Sequence, residues 1–260
     1  MRILILGFKF NIMNKHILHT FFLLSFCVSF SQNSYKSIKV SYALRINAQM
    51  DLEQKQVIKN NKSYDEYTKS SLLESDPFSE YQDFVTFKLL GNNKEYIFYK
   101  ELAMLPESIK PLQKKTLEIV FSSSYYRNEK TDEFYRTTNF SGKDYLVIIQ
   151  KDDVKWEILP DTLKIDNYIC YKAKGTDRLN KVFYAWFTPE LNYNFGPMNS
   201  LGLPGTVLQY EVNKFSLVCI KIEFVLKEED LKKIKRPNGQ EIKEEDFDAI
   251  VKKARGNFGN

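Results

Sequence analysis

From Ser37 to Ala48 the chain alternates, with Ile38, Val40, Tyr42, Leu44 and Ile46 on one parity and Lys39, Ser41, Arg45 and Asn47 mostly on the other. A period of two puts successive side chains on opposite faces of a pleated backbone, so this run predicts a half-buried strand. Apolar runs of strand length follow at 84–90, 95–99, 116–126, 133–138, 145–150, 155–158, 162–173, 181–187, 206–212 and 215–225. Several are separated by short turn-forming stretches such as Gly91-Asn92-Asn93-Lys94, Lys151-Asp152-Asp153 and Asn213-Lys214. Links that short favour antiparallel neighbours. The 16 Tyr and 20 Phe of the chain suit a pleated, half-buried surface.

Two stretches break the pattern. Residues 49–82 lose the alternation, are rich in Lys, Asn, Ser and Glu with short apolar groups such as Leu72 and Leu73, and read as an irregular or partly helical excursion. Residues 102–115, with Pro106 and Pro111, read as a loop leading into the 116–126 strand. Near the C-terminus Phe247, Ile250, Val251 and Ala254 recur at three- and four-residue spacing, predicting a helix over 243–254 with Gly256 as its C-cap. The expected fold is mainly β: a single curved antiparallel sheet or incomplete barrel of about nine to eleven strands, carrying a C-terminal helix.

The first 31 residues have the composition of an export signal. Lys15 gives a positive start, 17–30 an apolar stretch, and Ser29-Phe30-Ser31 small residues flanking a cleavage point before Gln32. Met13 is an alternative start, because 1–12 repeat the theme with Arg2 and Lys9. The apolar run is about fourteen residues, short of the ~20 a spanning helix needs, so no transmembrane helix is expected in the mature chain. Phe26 before Cys27 argues against lipid attachment there. Residues 32–260 then form one domain, exported to the periplasm or the outer membrane.

Removing that leader takes away three of the 38 basic residues and none of the 33 acidic ones, leaving a formal charge of about +2. Nucleic-acid binding needs a concentrated basic surface, which a near-neutral exported chain does not offer. Lys232, Lys233, Lys235 and Arg236 alternate with Glu228, Glu229 and Asp230 and read as a solvated face. His16 and His19, the two histidines of the chain, both fall in the leader. Ser-His-Asp and Cys-His catalysis and most zinc sites need imidazole, so these classes are disfavoured. No cofactor motif stands out, and Asp152, Asp153 and Glu190 have no spacing that marks a catalytic carboxylate pair.

Pro204-Gly205, between two apolar stretches, predicts positions i+1 and i+2 of a type II turn. The ordered set around it carries the chain's one specific signature. Cys170, Lys172 and Ala173 are followed by Ala185, Trp186, Phe187, Thr188 and Pro189, then Gly196-Pro197, then Gly202-Leu203-Pro204-Gly205. This set resembles the GLPGLI family of exported bacterial proteins, with weaker similarity upstream through Trp156 and Lys164 and at the C-terminal helix. Thr206 and Val207 depart from the Leu-Ile of the family's name, and Ser200 stands where an aromatic is expected. The resemblance implies a Gram-negative cell envelope and no established activity.

Cys170 and Cys219 are the cysteines left after the leader, and they either bridge or fill space as buried thiols; only Cys170 matches the family pattern. A bridge closing a loop of about fifty residues would stabilise by roughly 4 kcal/mol in the chain-entropy model. Asp144, Lys172 and Trp186 are candidates to line a groove, with Trp186 more commonly a core or cleft-edge ring. The functional expectation is a non-catalytic module binding an apolar ligand, a peptide or an envelope partner. The alternatives are a carboxylate-dependent hydrolase and a structural subunit of an outer-membrane complex that offers a free sheet edge.

Overall fold

The computed structural model describes residues 36–256, apart from 47, 64, 67, 68, 70–79, 93, 151, 152 and 214. The expected leader, with Met13, His16, His19 and Cys27, lies outside the described residues, as do Leu72, Leu73, Asn93, Asp152 and Lys214. Twelve strands are described: β1 (Ser37–Ile46), β2 (Val85–Asn92), β3 (Glu95–Leu102), β4 (Ser124–Asn128), β5 (Glu133–Phe140), β6 (Lys143–Ile148), β7 (Val154–Ile165), β8 (Tyr168–Asp177), β9 (Val182–Thr188), β10 (Thr206–Val212), β11 (Phe215–Phe224) and β12 (Gln240–Lys243). Among the described residues four α-helices accompany them, α1 (Ala48–Asn60), α2 (Pro111–Ile119), α3 (Glu228–Leu231) and α4 (Glu244–Gly256), with one 3₁₀ helix at Gln82–Phe84.

The strands make one sheet in the order β12-β6-β5-β4-β3-β2-β1-β11-β10-β9-β8-β7. Two antiparallel meanders, β2 to β6 and β7 to β11, flank β1, which pairs with β2 on one side and β11 on the other. β12 is the exception to antiparallel pairing: it joins β6 in parallel. The sheet is mainly antiparallel, does not close into a barrel and carries the C-terminal helix α4.

The alternating residues of β1 behave as their period requires. Ile38, Val40, Tyr42 and Leu44 are fully buried with Phe87, Leu89, Tyr96 and Phe98 from β2 and β3 in one large cluster. Curvature brings non-neighbouring strands together across this cluster: the Tyr42 hydroxyl on β1 donates to the carbonyl of Val207 on β10 at 2.7 Å. The opposite face is covered by 225–239, where Leu226 and Ile234 pack on Leu90, Ile97 and Tyr99. The expected solvated face is exposed at Glu228, Glu229, Lys232, Lys233, Lys235 and Arg236, and Asp230 is its exception. Asp230 is buried and paired with Lys39 at 2.8 Å, and the Arg236 guanidinium lies over the Tyr135 ring and pairs with Glu133.

Four local expectations are corrected. Residues 111–119 form α2, not a loop and the start of a strand. Pro111 occupies the first helical turn, where its missing N–H costs nothing, and Gln113 Oε1 accepts the Lys110 N–H at 3.2 Å. Lys100 Nζ then satisfies the carbonyls of Leu117, Glu118 and Val120 at the other end. The 162–173 run is two strands, because the chain reverses after Ile165 with Asp166 at φ 54°. β12 was not expected, since four residues leave no period to read. The C-terminal helix begins at Glu244 and includes Gly256, and Ile250 lies on its exposed flank while Phe247 is buried.

Candidate binding cleft

The residues of the family-like signature build a plug. Between β9 and β10 the chain folds into the concave side of the sheet, burying Leu191, Tyr193, Phe195, Leu201 and Leu203 in the main cluster. Phe195 lies against Tyr96, with ring centroids 4.4 Å apart, and its carbonyl accepts the Val207 N–H at 2.9 Å. Thr206 donates its hydroxyl to the Tyr193 carbonyl at 2.8 Å, a bond that Leu or Ile at this position could not make. Ser200 is buried and donates to the Pro197 carbonyl. Trp156 on β7 donates its indole N–H to the Leu201 carbonyl at 2.8 Å, fastening the plug to the far end of the sheet.

The expected type II turn at Pro204-Gly205 is instead a three-residue bend, in which the Gly205 N–H bonds the Leu203 carbonyl at 3.0 Å. Gly205 has φ +144°, well beyond the ~+80° of a type II turn. A Cβ there would lie 2.1 Å from the Thr188 carbonyl oxygen and 2.9 Å from Pro189 Cα. Gly196 is equally confined, since its Cβ would meet Val207 and Ser200 side chains at 2.7 and 2.8 Å. Gly205 lets the plug seat against backbone, and Gly196 against side chains.

The remaining signature residues divide by burial. Cys170, Ala173, Ala185, Phe187 and Thr188 are buried, and the Ala173–Ala185 cross-strand pair leaves room for the plug. Lys172 and Trp186 form a cross-strand pair on the other face, with Lys172 Nζ 5.2 Å from the Trp186 ring and 4.9 Å from that of Tyr184. The Trp186 indole donates to Glu211 at 2.9 Å. Asp144 does not join them: it lies on β6 in the other meander and accepts from Asn139. The expected Asp144–Lys172–Trp186 groove is not assembled.

Cys170 and Cys219 are free thiols. Cys170 lies on β8 and Cys219 on β11, with β9 and β10 between their strands. Burial pushes the Cys170 thiol up to about 12 and that of Cys219 to about 11, so both act as apolar filler and not as nucleophiles.

A cleft of about 260 Å³ opens beside the plug, where the two meanders face each other. Its apolar wall includes Tyr125 of β4, Phe183 of β9 and Tyr210 of β10, and burial raises both phenols above the ordinary tyrosine range. Its charged rim is an ion-pair cluster centred on the first turn of α4. Glu244 pairs with Arg178 at 3.0 Å and Arg136 at 3.5 Å, and Arg178 also reaches Glu245 at 3.1 Å and Asp248 at 3.2 Å. Acidic residues in a first helical turn complement the helix dipole, and Arg136 lies 5.4 Å from the Phe247 ring. Burial raises the Glu244 carboxyl, against the pull of both arginines.

Two further carboxylates line the cleft but serve its turns. Asp177 accepts the Leu179 and Lys181 N–H groups at 2.8 Å each, and Asp153 accepts the Gln150 N–H at 2.7 Å. Glu190 accepts the Ile169 N–H at 3.1 Å away from the cleft. Among the described residues no group of three or more His, Cys, Asp and Glu side chains is placed to hold a metal. None of their helices is long and apolar enough to cross a membrane. Sequence reading missed the cleft because its walls come from strands distant in the chain.

No protein-family model matches this chain, and no curated protein matches it. Among solved structures it is similar to PNGF-II in two crystal forms. Each comparison gives a TM-score of 0.50 at 15% identity, covering 84% and 85% of this chain and 33% and 34% of PNGF-II. The chain therefore spans about a third of the length of PNGF-II. An uncharacterized conserved protein from Thermus thermophilus gives a TM-score of 0.34 at 8% identity, over 82% of this chain and 93% of that one. The likeness to PNGF-II is one of fold.

Proposed function

We propose that this chain is an exported GLPGLI-type envelope protein that works as a non-catalytic binding module, taking its ligand in the cleft between the meanders. The observation that carries this reading is the contrast inside one concave surface: the plug seals most of it, while the cleft keeps an aromatic wall under a charged rim. Its volume of about 260 Å³ is just under the ~300–1,000 Å³ of drug-sized pockets. It suits a small molecule with an apolar body and a hydrogen-bonding end, or the end of a peptide from an envelope partner.

The other two readings have weaker support. A structural subunit recruited by strand addition would use the free edge at β7, but Pro160 interrupts that strand, and its register with β8 shifts between Ile158 and Thr162. Both devices blunt an edge. A carboxylate hydrolase would draw on Glu244, whose raised carboxyl suits a general acid, yet Asp153 and Asp177 are committed to turns.

The test is native mass spectrometry of protein taken from its own envelope fraction, beside a Val212→Trp variant that fills the cleft. A bound mass on the parent that the folded variant lacks supports the reading. An equal mass on both, or none on either, overturns it. N-terminal sequencing of the same material is expected to begin at Gln32.

A further inference from the structure

A second cavity, of about 120 Å³, lies on the other side of Ile149, which lines both spaces. Arg127 of β4 reaches it from the inward parity that it shares with Tyr125, opposite Tyr96 on β3 and Phe134 on β5. The residue is 7% exposed, and its Nε and Nη1 have no hydrogen-bond partner among the described residues. Its Nη2 lies 3.8 Å from the Glu129 carboxylate, too far for a hydrogen bond.

The carboxylates nearby do not fill these donors. Both Glu133 oxygens are taken, Oε2 by the Thr131 hydroxyl and Oε1 by Tyr135 and Arg236, and Asp132 is engaged as well. A guanidinium is charged at every accessible pH, and buried charge is costly unless it is paired and hydrogen-bonded. Phe134, Ile149 and Leu201 share the lining of this space with Asp132, Glu133 and Gln150. The volume of about 120 Å³ leaves room for an ion the size of acetate or phosphate.

We propose that this cavity is a binding site for a compact oxyanion, a small carboxylate or inorganic phosphate, which Arg127 receives through its unfilled donors. The site is independent of the cleft, and its failure would leave the cleft reading standing.

Thermal melting with increasing sodium acetate, and separately sodium phosphate, tests it, with ionic strength held by sodium chloride, whose anion carries no oxygens. The parent's Tm is expected to rise saturably with at least one of the two. Arg127→Met, which removes a buried charge with unfilled donors, should melt no lower than the parent in sodium chloride alone and should lose the response. If that variant does not fold, Arg127→Lys serves instead; it keeps the charge without the planar fork and should shift the midpoint about tenfold to higher anion concentration. A response to acetate alone assigns a carboxylate ligand, and one to phosphate alone assigns phosphate. No saturable response in the parent, or the same response in parent and variant, overturns the proposal.

Discussion

The plug at 189–205 and the cleft rim around α4 lie on the same concave surface and are held in opposite ways. The plug has close contacts to backbone: Gly205 against the Thr188 carbonyl, and Phe195 pressed on Tyr96. The rim is held by long side chains, with Arg178 and Arg136 reaching three carboxylates of one helix. The Gly196-Pro197 and Gly202-Leu203-Pro204-Gly205 part of the family-like signature falls on the first region, whose large apolar side chains are packed in the main cluster. In this chain a dense motif records a packing requirement, and the open surface is built from residues that carry no motif.

The comparison predicts where substitution is expensive. Phe195→Ala should be the largest effect, about 3–5 kcal/mol in urea denaturation, because it removes a ring that is 2% exposed from the middle of the plug. A loss below about 1 kcal/mol would mean that the plug does not hold the concave face together. Gly205→Ala should follow at about 3 kcal/mol, since the first carbon of any side chain already overlaps the Thr188 carbonyl. Gly205→Val should then add little to the alanine cost. A large step from Ala to Val would move the constraint away from the backbone contact.

The same division explains what could be read in advance. β1 follows from local alternation, and β9, β10 and β11 from apolar runs of strand length, each within about two residues of its expected span. The type of bend at Gly205 was not legible, because its φ is set by Thr188, which lies on the neighbouring strand. α2 was misread because Pro111 marks both a loop and a first helical turn, and Lys100, which satisfies its last carbonyls, comes from β3. The cleft was illegible for a further reason: Tyr125, Phe183, Tyr210 and Glu244 meet only once two meanders curl toward each other. Arg127 left one clue, the inward parity it shares with Tyr125.

On the rim the costs should be smaller and local. Arg178→Ala removes three part-exposed ion pairs, a loss of about 1 kcal/mol, with the Tm nearly unchanged. Its clearer signature should be faster hydrogen exchange over 244–256, because α4 loses its tie to the β8–β9 hairpin. Equal exchange in parent and variant would show that the Phe247 packing alone retains the helix.

The smallest effect is the pH response of Glu244. Burial raises its folded-state carboxyl above the ordinary 4.5, with Arg178 and then Arg136 opposing the rise, so the folded chain holds this proton more tightly than the unfolded one. The stability that Glu244 contributes is therefore fully present below pH 4.5 and is lost as pH climbs through the raised value. Glu133, lowered first by the Thr131 hydroxyl, has the opposite slope, as does Asp230, lowered by Lys39 in spite of its burial. The parent's own curve mixes these terms; the difference between parent and Glu244→Gln isolates one of them. That difference should fall as pH rises from 4.5 and then level off, and in an Arg178→Ala background the fall should extend to higher pH, because the first opposing charge is gone. A difference that rises with pH would mean that the arginines outweigh burial at the rim.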